Sequence, residues 1–241
     1  MIRFFALTRR EVSRFVKIKG QTIGAPLLET FLYISVFGAA LGTRVGDLDG
    51  VDYVVYVIPG LILMAWAINA FTNNASSLLQ QKFQRSIDDQ LSSPATPIQL
   101  LLAFTLGGFL RGMTIAIITF LVASVLVDLP VEHPLVLVIS LFLVGFFFSQ
   151  LGVLVGIRAE QFDDVSFAQT FILQPLIFLG GIFYSASLLP EPYQTLTHFN
   201  PVYYMISTVR YGFLGQQDVN ITLSLIGLAI ADARAVVPDL D

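Results

Sequence analysis

The chain has no cysteine. That removes disulfides, thiolate nucleophiles and cysteine-ligated metals together, and leaves the redox compartment unreadable by this route. Charge is scarce as well: 12% of the 241 residues are Asp, Glu, Lys or Arg, against about 25% in an ordinary globular domain. The two histidines, His133 and His198, stand alone outside any ligand spacing and read as loop or interface residues, so no metal centre is expected. There is no GxxxxGKS or GxxxxGKT phosphate loop and no GxSxG elbow. No catalytic residue is therefore assigned, and the chain should neither bind ATP nor hydrolyse a substrate by itself. A net charge of -4, with no cationic face interleaved with aromatics beyond the first 20 residues, argues against nucleic acid as partner.

What is present is apolar surface. Hydrophobic residues make up 55% of the chain, and the mean hydropathy is +0.77. These values predict an all-α integral membrane protein, one helical domain over residues 1–241. Five runs, 22–42, 53–75, 100–127, 135–157 and 169–189, can each cross about 30 Å of hydrocarbon at about 1.5 Å per residue. The run 221–230 is half the needed length and is followed by Asp232, Arg234, Pro238, Asp239 and Asp241. An aspartate at mid-bilayer costs about 2.5–3.5 kcal/mol on insertion scales, so the expectation is five full spans plus a truncated sixth. Either the tail ends in a half-inserted helix or the chain is cut short.

Lys and Arg set the orientation, because cytoplasmic loops retain positive charge. Arg3, Arg9, Arg10, Arg14, Lys17 and Lys19 precede the first span, Lys82 and Arg85 follow the second, and Arg158 follows the fourth. The loop after the first span is acidic, with Asp47, Asp49 and Asp52 beside Arg44. The amino terminus is therefore expected in the cytoplasm, with 76–99 a cytoplasmic connection and 190–218 external. The basic stretch is long for a signal-peptide n-region and several spans follow it, so no cleaved signal is read.

At about 100° per residue, Phe4, Phe5, Val12, Phe15 and Val16 fall on one side of a helix over residues 1–20, and Arg3, Arg10, Arg14 and Lys17 fall opposite. That pattern suits a helix lying in the membrane interface, its cations toward water and anionic headgroups. A plain topogenic tail is the alternative. Residues 76–99 carry Phe83, Ile87 and Leu91 four apart, one helical face amid Arg85, Asp88 and Asp89. Pro94 and Pro97 then end that helix and restart the chain, with Ser92 and Ser93 available as caps. Such an amphipathic helix is either a docking element for a soluble partner or an ordinary solvated connector.

The basic interfacial helix, this charged loop and the run PLIFLGGIFYSASLLPEPYQTLTHFNPVYYMISTVRYGFLG over 175–215 together resemble the ABC-2 type permeases, membrane subunits of one class of ATP-binding cassette exporters. The specific part is Pro175, Phe178 to Gly181, Leu189–Pro190, Asn200–Pro201 and Arg210. The resemblance implies a six-span helical bundle, a homodimer, and two copies of a separate ATPase subunit that binds ATP and Mg. It implies a bacterial inner-membrane location and outward transport of amphipathic or lipid-like cargo. It also implies ATPase contact through residues 1–20, including Arg10, Arg14 and Lys17, and through Phe83, Arg85, Ile87, Asp88, Asp89, Leu91, Pro94 and Pro97. Two short re-entrant or interfacial helices are implied over 190–214, with Tyr193, Asn200, Tyr203, Tyr204 and Arg210 at an external gate. The tail departs from the family, whose sixth span is whole.

Glu29 and Arg111 fall within spans and should face a cavity, the bundle interior or each other. They are a candidate substrate site or a structural pair; alternatively Glu29, near the cytoplasmic end, reaches water. As an ion-linked pair they would serve a proton-coupled secondary transporter, the runner-up reading. Asn69, Asn73 and Asn74 read as interhelical hydrogen-bonding groups, and Gly38 with Gly42, Gly108 with Gly112 and Gly152 with Gly156 as close-packing sites inside the bundle. Tyr193, Tyr203, Tyr204 and Tyr211 suit an aromatic belt or an exit gate. Membrane lipids are the remaining expected partner.

Overall fold

A computed structural model describes residues 2–17, 20, 24–37, 46–48, 50–92 and 96–236. Helix α1 covers Ile2–Lys17 and α2 covers Ala25–Phe37. The acidic loop forms a small antiparallel hairpin, β1 (Asp47–Leu48) with β2 (Val51–Asp52), a minor exception to the all-helical expectation. Asp52 ends it by accepting the Val54 amide proton at 2.8 Å, which caps α3, Tyr53–Phe83. The short α4, Ser86–Leu91, follows, then α5, Pro97–Leu126, and α6, Pro134–Arg158.

Helices α3, α5 and α6 run for 31, 30 and 25 residues and are apolar enough to cross a membrane. At about 1.5 Å per residue the first two reach about 45 Å, some 15 Å more than a hydrocarbon core. Both overrun the expected spans at the same end of the bundle, where α1 and α4 sit. Thr96 rather than Ser92 or Ser93 caps α5: its hydroxyl accepts from the Gln99 amide and the Gln99 side chain accepts from the Thr96 amide, both at 3.3 Å.

Helix α3 is the axis of the core, with Ile58, Leu63, Ala67 and Phe71 at most 1% exposed. Glycines let α5 and α6 approach it: a Cβ at Gly112 would lie 2.3 Å from the Trp66 ring, and one at Gly152 2.4 Å from the Phe71 carbonyl oxygen. The Gly108/Gly112 and Gly152/Gly156 pairs thus do pack within the chain; Gly38 and Gly42 lie outside the described residues. Because backbone cannot yield as a side-chain tip does, Gly152→Ala is expected to cost about 1–3 kcal/mol. The check is a lowered melting temperature of the purified protein, set against Gly227→Ala, where nothing lies within 4 Å of the added carbon.

The fifth span differs from expectation. Helix begins at Phe162 and ends at Phe178, as α7 (Phe162–Phe167), a π-helical turn (Ala168–Leu173) and α8 (Gln174–Phe178). Pro175 has no amide proton for the carbonyl four residues back, and the chain answers with the wider turn, Gln174 donating to Gln169. Gly181, at φ +84°, then turns the backbone, where a side chain would be strained. A 3-10 turn (Ala186–Leu188) leads to α9 (Glu191–Phe199) and α10 (Pro201–Leu214). Helix α9 keeps Tyr193, Leu196 and Phe199 exposed, whereas α10 is largely buried against α3 and α6.

The last helix, α11, runs Ile221–Val236, past the expected stop at Ile230. Asp232 does not break it, because a helix bonds its own backbone and the carboxylate turns inward on the same face as Ile221 and Leu228. Asp232 is 5% exposed, facing protein rather than lipid.

Candidate functional site

Polar residues on α3 recur every fourth position as it leaves the apolar span: Asn73, Ser77 and Gln81. That spacing makes one stripe, and α1 lies against it. Glu11, 2% exposed, accepts from Ser77 at 2.6 Å, from Gln81 at 3.1 Å and from Arg10 at 3.1 Å. Arg10 also donates to Gln81 Oε1 at 2.7 Å. Arg14 pairs with Glu11 at 3.7 Å and donates to both the backbone and side-chain oxygens of Asn73, at 2.7 and 2.8 Å. Burial holds the Arg14 pKa below the ordinary arginine value, against the opposing pull of Glu11, with Arg10 adding to the depression.

Helix α1 lies only partly as the wheel suggests. Phe5 is 64% and Val16 46% exposed, as an apolar side turned away from the protein would be, and Arg10 stays 43% exposed at the rim, but Arg14 points into the bundle. Phe15 stays buried and Lys17 exposed. The physical reason is that α3 offers matched acceptors and donors, so Arg14 is held by Asn73 and Glu11 instead of water. Gly107 of α5 completes the seat: a Cβ there would meet Glu11 Cβ at 2.7 Å.

From Asn73 the network continues into the core. Asn73 donates to Asn74 Oδ1 at 3.2 Å, Asn74 donates to the Ser149 carbonyl of α6 at 2.9 Å, and Arg111 of α5 donates to Asn73 Oδ1 at 3.4 Å. Arg111 is thus not partnered with Glu29. Thr30, next to Glu29, meets Thr119 at 3.3 Å, and Thr119 lies about 12 Å further along α5 than Arg111 at 1.5 Å per residue. Glu29 is accordingly away from the α1 end, and it is exposed, at the edge of a cleft with Tyr33, Asn69 and Gln169.

The coupling segment is shaped differently from a single amphipathic helix. Gln84 and Arg85 break it between α3 and α4, with Arg85 in the left-handed region at φ 54°, an uncommon state for a residue with a side chain. Phe83 and Ile87 therefore diverge. Phe83, 58% exposed, stacks on Phe162 of α7 at 5.4 Å, while Ile87 packs beside Leu78, Phe104 and Val153. Lys82 donates to the Ile157 and Ala159 carbonyls, tying α3 to the end of α6. Asp88 and Pro97 are exposed; Asp89 and Leu91 belong to α4, and Pro94 lies outside the described residues.

The family model for ABC-2 type transporters matches residues 2–214, which takes in α1, the coupling segment and α10. The chain belongs to the ABC-2 type transporter family. The inner membrane transport permease YadH of Escherichia coli K12 is 40% identical over 210 residues, 87% of this chain and 82% of the relative. Nodulation protein J of Sinorhizobium fredii NGR234 is 26% identical over 237 residues, 94% of this chain and 87% of the relative. With its three membrane-length helices, the chain is a multi-pass membrane transport permease.

At the opposite end of this ABC-2 permease the expected gate residues serve several structural roles. Arg210, 1% exposed, donates to the Gly181 carbonyl at 2.7 Å, pairs with Asp218 at 3.2 Å and lies 3.9 Å over the Tyr56 ring. Asn200 caps α10 through Val202 at 3.0 Å and donates to the Leu176 carbonyl at 2.6 Å. Tyr203 is buried, Tyr204 donates to the His198 carbonyl at 3.0 Å, and Tyr193 is 58% exposed. Tyr211 stacks on His133 at 4.4 Å. The tyrosines do not form one belt.

Glu11, Ser77 and Gln81 are the residues sequence reasoning passed over, whereas Asn73 and Asn74 take the interhelical hydrogen-bonding role expected of them. A polar repeat of four continuing beyond an apolar span, together with an acid in a basic helix, was the available signal.

Proposed function

We propose that this permease is the membrane subunit of an ATP-binding cassette exporter, moving an amphipathic or lipid-like substrate outward by ATP-driven alternating access. The observation that carries the reading is the Arg10, Glu11, Arg14 network. It fastens α1 to the projecting ends of α3 and α5, beside α4, so a push on that surface is passed into the long helices as a tilt. A separate ATPase, two copies on a homodimer of the permease, docks there and supplies ATP and Mg chemistry that this chain lacks. In that arrangement the amino terminus is cytoplasmic, and residues 190–218 form an external re-entrant gate whose α9 presents Tyr193, Leu196 and Phe199 to lipid.

The test is copurification of the full chain with a co-expressed ATP-binding cassette ATPase. Asp88→Lys, at an exposed position of α4, should weaken association at least about tenfold, the scale of one interfacial charge pair, and leave the melting temperature unchanged. Failure of any such ATPase to associate, with transport following a proton gradient, would overturn this in favour of a proton-coupled secondary transporter. Nothing in the placement of Glu29 and Arg111 favours that alternative, since the two are not joined.

A further inference from the structure

Arg14 of α1 and Arg111 of α5 meet on one oxygen. Arg14 donates to Asn73 Oδ1 at 2.8 Å, and Arg111 donates to the same atom at 3.4 Å. Two guanidinium groups gathered on a single amide repel each other, and the amide carries no charge to offset them. Among the described residues, Glu11 is the one carboxylate paired with either: it lies 3.7 Å from Arg14 and is shared with Arg10 at 3.1 Å. The remaining ion pair joins Arg210 to Asp218, so no described carboxylate pairs with Arg111. Residues 18–24, which follow α1 in the sequence, contain Lys19 and no Asp or Glu.

The two groups are also short of acceptors. The Nε atoms of both are buried without a hydrogen-bond partner, and beyond the Asn73 contacts no acceptor among the described residues meets Arg14 Nη1 or Arg111 Nη2. Unpaired buried donors are costly and rare. Both side chains nevertheless stay partly exposed, Arg14 by 28%, so a partner can reach them from outside the bundle. A phosphate group suits this donor set, because it brings charge and several oxygens that guanidinium forks engage at two points.

Depth points the same way. Arg111 stands about 21 Å along α5 from Pro97 at about 1.5 Å per residue. With about 15 Å of α5 projecting at that end, its guanidinium lies roughly one helical turn inside the hydrocarbon edge, where a long cationic side chain reaches the headgroup layer. Basic sites between membrane helices at that level recognise anionic headgroups.

We infer that Arg14 and Arg111 form a binding site for a phosphate-bearing anion at the α1 end of the bundle, the phosphate being carried by a lipid headgroup or free in solution. This goes beyond the export reading and holds with or without an ATPase. It also differs from a general attraction of a basic helix to the membrane, since one arginine comes from a membrane-length helix and the other from the side of α1 turned to the protein. Asn73 is the positioning residue that holds the two together.

The test uses the full chain in maltoside micelles without an ATPase. Binding of a dansyl-labelled phosphatidylglycerol is followed by energy transfer from Trp66, the chain's single tryptophan, which lies about 10 Å along α3 from Asn73 at about 1.5 Å per residue. Unlabelled phosphatidylglycerol, phosphatidylcholine and inorganic phosphate serve as competitors. The expected result is displacement by phosphatidylglycerol at concentrations at least about tenfold below those phosphatidylcholine needs, and a loss of affinity of at least about tenfold in Arg111→Gln, the scale of one charge-assisted contact. Arg111→Lys, which keeps the charge without the fork, should also bind more weakly than wild type. Arg234→Gln removes an exposed charge on α11 and should bind as wild type, which separates the site from net charge. Displacement by inorganic phosphate as effective as that by phosphatidylglycerol supports the site with a free anion as its ligand, and phosphate without effect supports it with a headgroup. Equal displacement by phosphatidylcholine overturns the inference, as does wild-type affinity in a folded Arg111→Gln or, where that variant does not fold, in Arg111→Lys.

Discussion

Glu11→Ala is expected to release α1 from the bundle. The carboxylate is 2% exposed and receives Ser77, Gln81 and Arg10, with Arg14 3.7 Å away. Removing one member of a buried charged cluster leaves the others desolvated and unpaired, which costs about 3–5 kcal/mol. Here Arg14 would keep Asn73 but lose its counter-charge, and Ser77 and Gln81 would lose a shared acceptor. The result should appear as a large drop in melting temperature and as new protease cleavage within residues 2–17 ahead of the rest of the chain. Glu11→Gln retains an oxygen for Ser77 and should recover part of the loss, separating hydrogen bonding from charge. A melting temperature within error of wild type for Glu11→Ala would mean that packing around Gly107 and Phe15, rather than the network, holds α1.

Arg210→Ala carries the second large effect. Its guanidinium joins α10 to the turn at Gly181, to Asp218 in the approach to α11 and to the Tyr56 ring of α3. Truncation strands Asp218, 22% exposed, and the Gly181 carbonyl, for a loss of about 3 kcal/mol or more. Arg210→Lys should recover only a minor share, because a point charge on a flexible stem cannot donate in two directions while stacking on a ring. Double-mutant cycles with Asp218→Asn and Tyr56→Leu, read by thermal unfolding in detergent, give the coupling of each contact. Additive losses across both cycles would leave only the Gly181 carbonyl contact and side-chain volume to account for the effect of Arg210.

The membrane-length helices were plain in the sequence because crossing a bilayer demands an unbroken apolar run whatever it packs against. The glycine pairs of α5 and α6 were legible for a related reason, since a missing side chain marks close approach without naming the partner. The fifth span was misjudged at both ends. Phe162 to Phe167 is too polar to score as a span, and the apolar letters from Leu179 to Leu189 hide a turn fixed by Gly181 and by Arg210 from far along the chain. Asp232 was read as stopping the last helix, whereas α11 continues through it to Val236 with that residue buried against protein.

Sequence alone therefore determined the class of molecule, its long helices and, through the motifs from Pro175 to Gly215, the family. Those depend on local hydrophobicity and on short runs of residues. Which cations face water and which enter the bundle, where Glu29 lies relative to Arg111, and how α1 is fastened were decided only by tertiary structure. A polar side chain in an apolar setting is stabilised by whichever partner folding brings to it, and Asn73, Ser77 and Gln81 stand more than 60 positions from Arg10, Glu11 and Arg14 in the chain, apart from Asn73 and Arg14 at 59.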